Sequence, residues 1–372
     1  MACDNQSSLI SLALAGVQKL TPYEPGKPIE ELERELGLTN IVKLASNENP
    51  LGMSEHAKTA IKNTINSAHL YPDGNAFRLK QKLASKHSVS LNQLTIGNGS
   101  NDVLEIIARC FADSSAEIMY SQYAFAVYPI VTQAIGARHN KVPANEWGHD
   151  LSAMLKAITN ETKIIFIANP NNPTGTYLSE AELDKFLLQV PSNIIVVLDE
   201  AYHEYISKPD YSSAEVFLEK YPNLIVTRTF SKAYGLAGLR IGYAISHPDV
   251  CNVLNRIRQP FNANIVALAA AEAALSDDAF IKESVQLNNA GMEQLTDAFQ
   301  RLGLSYIESV CNFVAVDVQN SGAEVYADLL QRGVIARPVG AYDMPNHIRV
   351  SIGTRDENQK FIDSLEAFLK AT

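Results

Sequence analysis

Lys232 stands in Thr229-Phe230-Ser231-Lys232-Ala233-Tyr234-Gly235, just past an apolar run and among small and apolar residues. Burial penalises a charged amine, so a lysine in such a place becomes a usable nucleophile near neutral pH. Read alone, it could equally be a solvated surface lysine. Asp199 follows directly on Ile194–Leu198 and opens Asp199-Glu200-Ala201-Tyr202. A carboxylate at the inner end of a buried strand is costly unless it meets a cation, the alternative being a helix cap. Asn169-Pro170-Asn171-Asn172-Pro173-Thr174-Gly175 follows another apolar run, Lys163–Ala168. Its prolines stiffen the loop and fix the directions of its asparagine side chains. Gly97-Asn98-Gly99-Ser100-Asn101-Asp102 joins a short apolar run to a helical pattern. Small residues there let the backbone approach a ligand, and the free N–H groups of a helix start suit an anion. The dinucleotide fingerprint is excluded, because Asp102 occupies the third glycine position. A capped glycine turn would explain this segment by itself.

Taken together, the four segments supply what pyridoxal 5'-phosphate needs. A lysine forms an imine with its aldehyde. An ionised aspartate keeps the pyridine nitrogen protonated, so the ring can accept electrons. A helix N-terminus and an arginine, here Arg240, hold the phosphate.

These residues need a scaffold that brings strand ends together. Apolar runs at Leu94–Ile96, Lys163–Ala168, Ile194–Leu198, Leu224–Thr227 and Ile241–Ile245 alternate with helical patterns. Continuous Val/Ile/Leu strands of this kind predict an α/β fold whose large domain is a mainly parallel mixed sheet, covered by helices on both faces. Ligands bind at the carboxyl ends of such strands. Capping boxes are expected at Ser179 with Glu182 and at Thr354 with Glu357. From Ile265 to about Gly303 the periodicity is helical, and residues 313–372 read strand, helix, strand, helix. The expected division is an N-terminal arm over 1–45, a large domain over 46–262 and a smaller α/β domain over 263–372.

Composition narrows the partners. The chain has 372 residues, 46% hydrophobic and 19% charged, which excludes a disordered protein. Its net charge of −10 makes it a poor partner for nucleic acid or an anionic membrane. Any anion it binds must be caught by a local device. Cys3, Cys110, Cys251 and Cys311 show no CxxC spacing, and the histidines show no HExxH, so neither a disulfide framework nor a metal site is expected. No apolar run reaches the ~18 residues that span a bilayer. Leu9–Val17 is short and lacks a preceding basic cluster, so no signal peptide is expected and the cytoplasm is the expected compartment.

LASNENPLG (44–52), YPDG (71–74), NPNNPTG (169–175), DEAY (199–202) and SKAYGLAGLRIG (231–242) resemble the fold-type I aminotransferases. Within that group they are most similar to the histidinol-phosphate aminotransferases, and the resemblance runs from about Tyr23 to the C-terminus. It implies that Lys232 is the imine lysine and moves the proton between the substrate Cα and C4′ of the cofactor. It implies that Asp199 pairs with the pyridine nitrogen, that Asn172 and Tyr202 hydrogen-bond the ring's phenolic oxygen, and that Tyr123 stacks on the ring. Ser100, Asn101, Thr229, Ser231 and Arg240 would hold the phosphate. Tyr71 would reach the phosphate of the other subunit, which implies a homodimer with composite sites. Two positions depart from the family pattern: Ser121 stands where a proline is usual, and Asn101 where an acidic residue is frequent.

Arg337 and Arg349 lie in the C-terminal segment, Arg349 within the apolar run Ile348–Ile352. A buried guanidinium needs an anion, and its planar fork suits carboxylate or phosphate, although an internal salt bridge would also satisfy it. The resemblance implies that Arg349 binds the substrate carboxylate and that both arginines grip the phosphate of histidinol phosphate. Glutamate and 2-oxoglutarate would use the same site in alternation. Tyr23 would close it from the arm unless that segment is a plain linker, and Asn47 is either a site residue or a capping turn. The rival activities on this scaffold are an aromatic amino-acid aminotransferase and a threonine-phosphate decarboxylase.

Overall fold

The computed structural model describes residues 9–23 and 25–371. Cys3 and the outermost part of the expected arm lie outside the described residues. The arm holds a helix, Ile29–Leu36, that ends at Gly37 with a left-handed φ of 66°. Leu32 on its inner face packs with Ala45 and Ile335, so the end of the arm is folded onto the C-terminal part. The chain then enters β1 (Val42–Lys43).

Seven strands build the large sheet: β2 (Leu94–Gly97), β3 (Glu117–Ser121), β4 (Arg138–Val142), β5 (Thr162–Ala168), β6 (Ile195–Asp199), β7 (Leu224–Thr229) and β8 (Gly242–Ser246). Their spatial order is β2-β8-β7-β6-β5-β3-β4. β8 runs antiparallel to both its neighbours and the other pairs are parallel. Side chains alternate across a strand, and here both sets are buried. Ile165, Ile167, Val196, Leu198 and Val226 enter the core on one face. Ile164, Phe166, Val197 and Ile225 enter the core on the other. That is why these strands read as continuous apolar runs. β3 and β4 lie outside the strands expected from the sequence. β4 is an exposed edge of sequence RHNKV with only Val142 buried, so it carries no apolar run.

The helical stretch after Ile265 is two helices, Ile265–Ala274 and Asp278–Arg301, separated where Asp277 caps the second through Phe280 N. Ala267, Ala270, Ala271 and Ala274 of the first pack into the core of the large sheet. This helix therefore sits on the large-sheet side of the expected boundary at 262/263; its alanine face fits closely against helix Glu55–Thr64. Beyond it come β9 (Tyr306–Ile307), β10 (Phe313–Asp317), β11 (Val334–Ile335), β12 (Arg337–Pro338) and β13 (His347–Ser351). The order β12-β13-β10-β9 makes an antiparallel sheet, while β11 pairs in parallel with β1. Both expected capping boxes form, Ser179 with Glu182 and Thr354 with Glu357.

Candidate active site

The parallel register sets Ala168 of β5 opposite Asp199 of β6, and Asp199 opposite Thr227 of β7. Their carboxyl ends therefore finish at one level. A cavity of about 370 Å³ opens there. Its wall includes Tyr23, Asn47, Ser100, Asn101, Asn172, Asp199, Tyr202, Thr229, Ser231, Lys232, Arg240, Arg337 and Arg349. Residues separated by up to 326 positions in the chain (Tyr23 and Arg349) thus share one wall.

One end of the cavity is built for an anion. β2 ends in Gly97, and helix Ser100–Phe111 starts at Ser100 with its free N–H groups. Thr229 Oγ1 donates to Ser231 Oγ at 3.0 Å, and Arg240 contacts Ser231 and donates to Ala237 O at 3.0 Å. Gly99 has a φ of +84°, and a Cβ there would lie 2.6 Å from the Arg240 guanidinium. A Cβ on Gly242 would lie 2.5 Å from Ser100 N. Only glycine leaves room for the backbone at position 242, and the left-handed φ favours glycine at position 99.

At the centre, Lys232 Nζ donates to Ser46 O at 3.1 Å. Burial first, and the nearby Arg349 second, lower its pKa from 10.5 to about 8. Asp199 is buried, and burial raises its carboxyl to about 6. Two hydrogen bonds oppose that shift: Tyr128 Oη donates to Oδ2 at 2.9 Å and Thr227 Oγ1 donates to Oδ1 at 3.0 Å. A cation placed beside this carboxylate would stabilise its charged form further. The amine, the carboxylate and the anion cradle fit the aldehyde, the pyridine nitrogen and the phosphate of pyridoxal phosphate.

The other end is cationic. Arg337 and Arg349 are direct partners across β12 and β13. Like charges opposite each other destabilise a sheet, so the pair calls for an anion. Arg349 is buried, donates to Asn172 Oδ1 at 2.5 Å and to Ala45 O at 2.6 Å, and leaves its Nε without a partner. Arg337 lies over the Tyr23 ring, 5.5 Å from its centroid. Among the described residues neither arginine is in a salt bridge.

One expected placement changes, and two others take a definite form. Tyr123 does not line the cavity; its ring packs on Trp147 at 5.2 Å, within a side cluster of Ile307, Val339 and Met344. Phe125 lines the cavity in its place. Two aromatic rings two residues apart offered no pattern to choose between them. Tyr71 is 82% exposed, rests on Phe261 at 4.7 Å, and does not line this chain's own cavity. Asn172 is engaged by Arg349, so its carbonyl oxygen accepts from that guanidinium in this structure. Tyr128 and Thr227, which hold Asp199, were not anticipated, nor was Tyr342 in the cavity wall. Tyr128 is stacked on Phe166 at 4.7 Å and lies 71 positions from Asp199, so only the folded sheet reveals their contact.

A parallel strand-end site with a buried-strand aspartate, a lysine of lowered pKa and an anion cradle defines an enzyme that works through a lysine-linked cofactor. The chain belongs to the family of aminotransferases of class I and II, whose model matches residues 39–365. Histidinol-phosphate aminotransferase 1 of Nitrosococcus oceani is 54% identical over 365 residues, covering 98% of this chain and 99% of that protein. Histidinol-phosphate aminotransferase 2 of Pseudomonas fluorescens is 55% identical, covering 97% of this chain and 98% of the other. Among solved structures, histidinol-phosphate aminotransferase from Sinorhizobium meliloti in complex with pyridoxal-5'-phosphate superposes with a TM-score of 0.88 at 28% identity, over 96% of this chain and 97% of the other.

Proposed function

We propose that this protein is a pyridoxal-phosphate-dependent aminotransferase that moves an amino group from L-histidinol phosphate to 2-oxoglutarate, giving imidazole acetol phosphate and glutamate in histidine biosynthesis. The observation that carries the reading is the shape of one cavity: an amine and a buried carboxylate at its centre, an anion cradle at one end and, at the other, two arginines that face each other across β12 and β13. The full-length relatives named above support it.

Pyridoxal phosphate, when bound, supplies the electron-accepting ring. The chain's residues do the rest. Ser100, Asn101, Thr229, Ser231 and Arg240 hold its phosphate. Asp199, fixed by Tyr128 and Thr227, keeps a proton on the pyridine nitrogen. Lys232 Nζ would take the proton from the substrate Cα and deliver it to C4′ of the cofactor; its lowered pKa leaves a useful fraction neutral near pH 7. Tyr202, within reach of Lys232, orients the ring at its phenolic oxygen. Phe125, the aromatic that lines the cavity, would pack against the ring. Arg349 grips the substrate anion, and Arg337 adds the second fork that a phosphate dianion can use. Tyr23 closes the mouth beside Arg337.

The reading includes a homodimer with composite sites, supported by Tyr71 lying exposed and stacked on the exposed Phe261, next to exposed Leu70 in the chain. It places the boundary between large and small parts after Ala274, and the protein in the cytoplasm; no helix among the described residues is long and apolar enough to cross a membrane. The experiment is a donor comparison. kcat/KM for histidinol phosphate should exceed that for phenylalanine, and threonine phosphate should not be decarboxylated. A preference for phenylalanine would replace this reading with an aromatic aminotransferase.

A further inference from the structure

Three consecutive residues after β1 are wired to three different working groups. Ala45 O accepts from Arg349, Ser46 O accepts from Lys232, and Asn47 Nδ2 donates to Tyr202 Oη at 2.9 Å. Asn47 is 1% exposed and holds a left-handed φ of 54°. Its backbone N–H donates to Ser351 Oγ at 2.8 Å, and Ser351 Oγ donates back to Asn47 Oδ1 at 2.9 Å. Asn312 Nδ2 donates to Asn47 O at 3.1 Å. Ser351 lies two residues after Arg349 on β13, so both side chains leave the same face.

The donor and acceptor inventory of this cluster has a consequence. The amide of Asn47 can be oriented two ways, and only its partners decide which. Ser351 Oγ already accepts the backbone N–H of residue 47, so its own hydrogen must go to an acceptor, and Asn47 Oδ1 is that acceptor. Turned the other way, the amide would strand the Ser351 hydrogen at a site that is 3% exposed. The serine therefore points Nδ2 at Tyr202. An amide nitrogen only donates, so Tyr202 Oη must accept. The proton of Tyr202 then has no protein acceptor among the described residues and is left for the cavity that Tyr202 lines.

We propose that Ser351 and Asn47 are positioning residues that fix the direction of the Tyr202 hydroxyl, so that it donates to the phenolic oxygen of the bound cofactor. The inference rests on the function proposed above. It ties the substrate-gripping strand β13 to the tuning of the cofactor: Arg349 and Ser351 are carried by the same few residues. A donor to an oxyanion stabilises the form of the chromophore that has lost its proton, and so lowers its titration midpoint. The other charged or titratable groups around Tyr202 are Lys232, Arg349, Asp199, Cys311, Tyr128 and Tyr205, and none of them is bonded to Ser351.

The test is a pH titration of the visible absorbance of the holoenzyme. Ser351→Ala frees the amide, and the midpoint should rise by about half to one unit, a roughly three- to tenfold change in proton affinity. Asn47→Gly keeps the left-handed backbone and removes the amide, and should raise the midpoint likewise. Ser351→Thr retains the hydroxyl and should titrate like the parent. Tyr202→Phe should raise the midpoint at least as far, and adding Ser351→Ala to it should raise it no further. A parent that titrates while Ser351→Ala and Asn47→Gly leave the midpoint unmoved overturns the relay alone, as does an equal shift in the Tyr202→Phe background. A parent without a pH-dependent chromophore overturns the proposed function, and the relay with it.

Discussion

Replacing Arg337 with alanine separates the two ends of the substrate. Arg349 is held by Asn172 and Ala45, so it is ready to grip any anionic group that enters. Among the described residues Arg337 has no such bracing, and it lies over the Tyr23 ring. A phosphate carries about −1.5 to −2 charges and three acceptor oxygens, so it can occupy both forks, whereas a carboxylate is satisfied by one. A hydrogen bond to a charged group is worth roughly 1.5–3 kcal/mol, and each 1.36 kcal/mol is tenfold in rate. Arg337→Ala should therefore lower kcat/KM for histidinol phosphate by about 10- to 150-fold and change that for glutamate only a few-fold. Arg349→Ala should lower both. The assay is steady-state kinetics of each half-reaction, with glutamate and histidinol phosphate as alternative donors. Equal losses for the two donors in Arg337→Ala would refute its role as the second phosphate fork.

The apoenzyme should take up pyridoxal phosphate faster as pH rises, with a midpoint near the lysine's value of about 8; because this pKa is lowered, the neutral amine is already about one-tenth populated at pH 7. A midpoint close to 10.5 in stopped-flow reconstitution would contradict the burial argument. Phe125→Ala should weaken cofactor affinity several-fold while Tyr123→Ala leaves it nearly unchanged, and equilibrium dialysis would detect the reverse order. Glu200→Ala should destabilise the fold by about 3–5 kcal/mol, because Arg228 is buried and bonds Glu200 Oε2 at 2.8 and 3.1 Å; a urea midpoint close to the parent's would count against it.

Much of the site was legible because its residues sit at the ends of apolar runs. IIVVL made a buried strand, so Asp199 had to lie at a strand end, and the same logic placed Lys232 after β7. The alternation of apolar strands and helices announced the parallel core. What stayed hidden depends on contacts that cross the chain. β4 carries polar, exposed residues, and its neighbour β3 was missed with it. That Phe125 lines the cavity while Tyr123 packs on Trp147 follows from how the loop after β3 turns, which spacing cannot reveal. Tyr128 meets Asp199 only because the strand and helix that carry them are packed side by side. The Arg228–Glu200 pair lies beyond Thr227 and Thr229 on the opposite side of β7, where strand alternation puts it. Asn47 could be read as a turn or a site residue, and its partners Tyr202 and Ser351 lie 155 and 304 positions away.

Reduction of the holoenzyme with borohydride, followed by peptide mass spectrometry, tests the central claim most directly. The account predicts the pyridoxyl group on Lys232 and on no other lysine, with Lys232→Ala unlabelled and nearly inactive. Label on a different lysine, or full turnover in Lys232→Ala, would contradict it.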